Sequence, residues 1–251
     1  MSQSLLNVAA LGKSFDGITA VRDVSFAVAS GEVVAMIGPN GAGKTTCFNL
    51  IHGELAADRG EVTFDGRSIL GLPTHAIARR GIGRTFQVAA TFASMTVRES
   101  IALALAAHDG CDSAIVSGRL QAKSARANAL LSLMRIDDLA AAHCATLAYG
   151  DAKRLELALA IAGTPRLLLM DEPTAGMNPR ARRDLMQLVT AIARRDDVAV
   201  CFTEHDMDIV FAFADRIIVL DRGRVIATGA PDAIRANREV QAAYLGSDQP
   251  A

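Results

Sequence analysis

Residues 38–45 read Gly-Pro-Asn-Gly-Ala-Gly-Lys-Thr, two glycines with four residues between them, then a lysine and a hydroxyl residue. That order of residue types binds phosphate. The glycines let backbone N–H groups converge on phosphate oxygens, and a helix starting at the lysine adds the equivalent of about half a positive charge. Lys44 is then placed to reach the β- and γ-phosphates of a nucleoside triphosphate, and the Thr45 hydroxyl to complete a Mg²⁺ site. The nucleotide-binding set expected here is Gly38, Pro39, Asn40, Gly41, Ala42, Gly43, Lys44, Thr45 and Thr46. A glycine-rich turn that binds nothing is the competing reading. The flanks weigh against it: a short apolar run, 32–37, precedes the loop, and 44–51 contains no helix breaker.

A second candidate set closes the run Leu167-Leu168-Leu169-Met170-Asp171-Glu172. An acid at the end of a buried parallel strand faces the phosphate loop, because ligands collect at strand carboxyl ends in such sheets. Asp171 is expected to hold Mg²⁺ through water, and Glu172, one residue on, to orient and polarise an attacking water. An Asp-Glu pair alone reads as a solvated turn; the apolar run before it and the phosphate loop upstream change that reading.

These residues need a scaffold, and the hydrophobic pattern supplies one. Apolar runs at 32–37, 166–170, 198–203 and 216–220 are continuous, and helical stretches such as 179–194 separate them. Continuous runs between helices indicate a parallel sheet covered on both faces, hence an α/β fold with a P-loop NTPase core. The amino-terminal part differs: 5–11, 24–28 and 61–64 read as strands joined by turn residues, an antiparallel layer beside the core. Between residues 96 and 162 the pattern becomes Ala- and Leu-rich with helical spacing at 97–107, 123–134 and 152–161, read as an inserted helical subdomain. The expected division is one domain, with core 1–95 and 163–251 and the helical subdomain at about 96–162. Residues 109–118 read as a loop, and Asp221-Arg222-Gly223-Arg224 as a hairpin turn.

Composition narrows the classes. The 251 residues are 51% hydrophobic and 21% charged, which suits a globular chain and excludes global disorder. Lys and Arg number 26 against 27 Asp and Glu, so the basic excess that binding to phosphate backbones leaves is missing, and nucleic acid is not an expected partner. Mean hydropathy is +0.25, yet no apolar run reaches the roughly 20 residues that cross a bilayer. The first eleven residues do not read as a secretory signal. Cys47, Cys111, Cys144 and Cys201 lie far apart without a CxxC pair, as expected of reduced cytoplasmic thiols rather than disulfides or a zinc site.

Further motifs fall in an order that resembles ABC-type ATPases along nearly the whole chain. Arg84-Thr85-Phe86-Gln87 resembles the Q-loop, Leu147-Ala148-Tyr149-Gly150-Asp151 stands in the place of the LSGGQ signature just before a helix, and Ala175-Gly176-Met177-Asn178 follows the acidic strand as the D-loop does. His205, in Glu204-His205-Asp206, resembles the switch histidine, and Phe15 the aromatic residue that stacks on adenine. Each has a plain alternative. Gln87 suits any polar loop, Phe15 a core, His205 and His143 a surface, and Asn178-Pro179 a helix cap with its first residue. The ordered set carries the inference.

The resemblance implies ATP and Mg²⁺ as ligands, with Glu172, His205, Gln87 and Lys44 catalytic and Thr45, Gln87 and Asp171 at the metal. It implies that Ala148, Tyr149 and Gly150 contact the ATP of a second ATPase subunit, a copy or a relative, so that two subunits close around two nucleotides. Ala148 stands where the family has a serine, and loss of one hydrogen bond to a charged group weakens such a site by about 1.5 to 3 kcal/mol. A groove near Gln87 would receive transmembrane permease subunits, with a periplasmic solute-binding protein as an indirect partner. The chain would then sit peripherally on the cytoplasmic face of the inner membrane. The LAYG sequence, Glu204-His205-Asp206-Met207 and the tail Ala243-Tyr244-Leu245-Gly246 are similar to the ATPases of branched-chain amino acid importers. An exporter, an importer of another solute and a soluble ABC ATPase are the alternatives. A P-loop kinase or GTPase fits less, since no guanine-reading NKxD is found.

Overall fold

The computed structural model describes residues 4–85, 94–108 and 120–245. Gln87, Cys111, the loop expected at 109–118 and Gly246 lie outside these.

A long hairpin opens the chain, β1 (Ser4–Phe15) and β2 (Ile18–Ala29), followed by β3 (Val33–Ile37) and helix α1 (Lys44–Ile51). Then come β4 (Arg59–Phe64), β5 (Arg67–Ser68), α2 (Thr74–Arg79) and β6 (Ile82–Arg84). Three helices form the middle of the chain: α3 (Val97–His108), α4 (Leu120–Met134) and α5 (Tyr149–Ala162). The remainder alternates: β7 (Leu167–Asp171), α6 (Pro179–Asp196), β8 (Ala199–Thr203), α7 (Met207–Phe213), β9 (Arg216–Asp221), β10 (Arg224–Gly229), α8 (Pro231–Arg235) and α9 (Arg238–Leu245).

The central sheet has the order β10-β9-β3-β8-β7-β6, parallel except for β10, and the second sheet, β2-β1-β4-β5, is antiparallel. The parallel core and the antiparallel layer match the sequence expectation. Alternation along the central strands divides the core in two. Val33, Ala35 and Ile37 of β3, with Leu168 and Met170 of β7 and Val200 and Phe202 of β8, face a cluster that includes α3 to α7. Val34 and Met36, with Leu167, Leu169, Ala199 and Cys201, face α1 and the antiparallel sheet. A strand buried on both faces is apolar at every position, which is why these runs lack alternation.

Helix ends follow local chemistry. Asn178 caps α6 by accepting from Ala181 N at 3.0 Å, Pro179 takes the first helical position, and Arg194 and Arg195 lie in the last turn against the negative end of the dipole. Thr96 and Glu99 form a reciprocal capping box before α3, with Glu99 N to Thr96 Oγ1 at 3.2 Å and Thr96 N to Glu99 Oε2 at 2.8 Å. Ile101 and Leu105 of α3 then pack with Ala127 and Leu131 of α4 and Leu155 and Ala158 of α5.

Several elements exceed the sequence reading. The hairpin β1–β2 continues through residues 12–15 and 18–23, where register shifts near Val8 to Ser14 break the alternation that would mark a strand. The short β6 joins the sheet edge beside β7, with Ile82 opposite Leu167, and its Gly83 admits close approach: a Cβ there would lie 2.7 Å from Ala160 O. Helix α5 begins at Tyr149, so the signature residues Tyr149, Gly150 and Asp151 are its first turn rather than a segment before it. Among the described residues, no helix is long and apolar enough to cross a membrane. Cys47, Cys144 and Cys201 are free and buried.

Candidate functional site

The phosphate loop joins the buried end of β3 to α1, and its shape depends on two glycines. A Cβ at Gly38 would lie 2.2 Å from Leu220 O, and one at Gly43 2.5 Å from Ala20 O, with Gly43 at φ 101°. The turn between β9 and β10 braces the loop: Gly223 N donates to Ala42 O at 3.0 Å, and Arg22 N to Gly223 O at 2.7 Å. Helix α1 has no side-chain cap, so its first N–H groups are offered to an anion. Lys44 is buried and donates from Nζ to Gly38 O at 2.7 Å and Pro39 O at 3.2 Å. Burial holds its pKa below the usual lysine value, and Glu172 and Asp171 pull it back upward.

At the adjoining strand ends the acidic pair is built as one unit. Asp171 and Thr203 are register partners on β7 and β8, and the Thr203 hydroxyl donates to Asp171 Oδ1 at 2.6 Å while accepting from Glu172 N at 3.0 Å. Glu172 has φ 47°, left-handed for a residue with a Cβ, and this turns its side chain out of the strand direction. Its Oε1 lies 2.9 Å from His205 Nε2, so an ionised carboxylate accepts from an Nε2–H. His205 comes from the loop after β8.

That loop is tied twice to the segment that follows β7. Glu204, 4% exposed, accepts at Oε1 from Thr174 N (2.9 Å) and Thr174 Oγ1 (2.6 Å), and at Oε2 from His205 N (3.2 Å). Arg182 donates from Nε to Met177 O at 2.7 Å and pairs with Asp206 at 2.7 Å. Thr174, Arg182 and Thr203 were not singled out in the sequence, and Glu204 only as part of Glu204-His205-Asp206-Met207. For Thr203 and Glu204 the sequence shows only a hydroxyl and then an acid at the end of an otherwise apolar run, which gives neither its partner.

Phe15 ends β1 and is 41% exposed, not in the core, and Lys13 Nζ stands 5.5 Å from the ring centroid. At the signature, Ala148 occupies the cap position without a side-chain hydrogen bond. Tyr149, 54% exposed, lies against the D-loop: a Cβ on Gly176 would come within 3.2 Å of its Cε1. Among the described residues, no hydrogen bond joins Phe15 or the signature to Lys44, Asp171 or Glu172.

A groove of about 660 Å³ runs between α2 and β6 on one side and α3 and α5 on the other, lined by His52, His75, Arg79, Ala104, His108 and Leu159 among others. At its floor Arg84 meets Glu54 at 3.1 Å and Asn49 at 2.6 Å.

Comparison with known proteins agrees with this geometry. The ABC transporter family model matches residues 21–175, and a branched-chain amino acid ATP-binding cassette transporter model matches 224–249. The chain is 39% identical to the high-affinity branched-chain amino acid transport ATP-binding protein BraF of Pseudomonas aeruginosa, over 98% of this chain and 99% of the relative. Among solved structures, an ATP-binding cassette of an ABC transporter in its ADP conformation superposes with TM-score 0.87 at 27% identity, covering 97% of this chain and 99% of that one. A dimeric ATP-binding cassette in a post-hydrolysis state with ADP and Pi superposes with TM-score 0.78 at 25% identity, covering 90% and 98%. On the strength of these matches, which span the glycine-rich loop, the acidic strand and His205, the chain belongs to the ABC transporter family of ATP-hydrolysing proteins.

Proposed function

We propose that this chain drives an importer of branched-chain amino acids or related small solutes, seated peripherally on the cytoplasmic face of the cell membrane against transmembrane permease subunits. The solute class rests on the similarity to BraF across almost the full length of both chains. One observation carries the chemistry: Glu172 and His205 lie within hydrogen-bond distance of each other at the carboxyl ends of β7 and β8, and β8 is the neighbour of β3, which leads into the phosphate loop.

In this reading Lys44 exchanges its carbonyl partners in the loop for the β- and γ-phosphates, and Phe15 stacks on adenine. The oxygens of Asp171 and Thr45 suit a hard cation, with Gln87 joining them. Mg²⁺ held there would neutralise phosphate charge during the transfer. Glu172 accepts a proton from water, and His205 orients the Glu172 carboxylate and the γ-phosphate. Ala148, Tyr149 and Gly150 offer the start of α5 to the nucleotide of a second ATPase subunit, identical or related. Closure of that pair moves the helical subdomain, about 96–162. The groove beside β6 transmits the movement to a permease helix, and a periplasmic binding protein delivers the solute from the other side.

The test is reconstitution with the cognate permeases and binding protein in vesicles. Leucine uptake that requires ATP and stops in a Glu172→Gln complex supports the reading. Hydrolysis without solute movement for leucine, isoleucine or valine removes the solute class and leaves the ATPase.

A further inference from the structure

Thr203 is 0% exposed, and its hydroxyl spends both its donor and an acceptor capacity on the two acids of the site. It cannot touch nucleotide or water itself. The rest of β8 is Ala199, Val200, Cys201 and Phe202, so a buried hydroxyl here is the exception in an apolar strand. A hydroxyl hydrogen pointing at Asp171 Oδ1 fixes the rotation of that carboxylate and occupies one of its oxygens. The same oxygen, accepting from Glu172 N, holds the backbone at φ 47°, from which the Glu172 side chain reaches His205. One atom therefore sets the direction of two carboxylates with different work.

We infer that Thr203 is a positioning residue that couples cation binding at Asp171 to water activation at Glu172. The inference rests on the assignment of those two roles above. Valine keeps the shape of threonine and removes the hydroxyl. In Thr203→Val, Asp171 is free to rotate, and the N–H of Glu172 loses its acceptor.

The experiment measures ADP affinity by calorimetry with Mg²⁺ and again with EDTA, in the full-length protein, alongside steady-state hydrolysis. In Thr203→Val the Mg²⁺-linked gain in ADP affinity falls about tenfold while affinity in EDTA is unchanged, and kcat falls by a similar factor. Thr203→Ser restores both. If valine does not fold by circular dichroism, Thr203→Ala carries the same measurement. A folded variant whose Mg²⁺-linked gain stays within about twofold of the parent overturns the inference when Asp171→Asn abolishes that gain. If Asp171→Asn also keeps the gain, the cation assignment itself fails and takes this inference with it.

Discussion

Glu204 Oε1 accepts two hydrogen bonds from Thr174, one from its amide and one from its hydroxyl, and so fastens the loop after β8 to the segment after β7 inside a region closed to solvent. Removing the acceptor leaves two buried donors without it. Glu204→Ala is expected to lower stability by about 1 to 3 kcal/mol. Chemical denaturation gives that number. Hydrolysis should fall with it, since His205 loses the contact its amide makes, while ADP affinity stays near the parent value.

Glu172→Gln should bind ATP and hydrolyse it about 10² to 10⁴ times more slowly, the range that a positioned general base supplies. Single-turnover release of phosphate is the measurement. Turnover near that of the parent would reassign water activation to another residue.

Gly38→Ala would push a methyl group onto Leu220 O, a backbone atom that cannot swing aside. A loss of about 1 to 3 kcal/mol in stability is expected, as for overpacked cores, together with loss of nucleotide binding. Lys44→Ala, in contrast, should keep its fold and lose ATP affinity. Thermal unfolding with and without ATP separates the two variants, because only a protein that binds shows a ligand-dependent rise.

His52 lines the groove with its side chain largely buried, and burial first, then the charge of Arg84, hold its pKa below the ordinary 6.5, with Glu54 opposing them. A base depressed in the folded state is protonated first in the unfolded chain as pH falls. The stability it contributes is complete above 6.5 and is lost as pH drops toward the folded value. Unfolding free energy should therefore decline as pH falls below about 6.5, and His52→Gln should flatten that decline. The depressed carboxylates Asp58, Asp65, Glu99, Asp196 and Asp206 act only at lower pH.

The strand, loop and helix around residues 38–45, the parallel sheet and the acid ending β7 were legible because each rests on a local pattern: a glycine-rich turn, continuous apolar runs, an acid after one of them. The Asn178 cap and the Arg222-Gly223 turn, with both residues at positive φ, were legible for the same reason. Thr203 was not, because its importance comes from standing opposite Asp171, a pairing that only sheet register creates. Strand β6 is three residues long with a central glycine, below any periodicity, and β1 and β2 hid their length behind bulges. The start of α5 inside the signature was missed because Ala148 lacks the side-chain oxygen that normally announces a helix.

The brace from Gly223 to Ala42, and the seat of β3 between β8 and β9, have a consequence for biosynthesis. In a nascent polypeptide residues 38–45 emerge about 150 residues before the strands on either side, Ala199–Thr203 and Arg216–Asp221, and before the tether at Gly223. Until those strands have emerged the loop lacks the neighbours that brace it, so it takes its final shape only after β8 and β9 have been made.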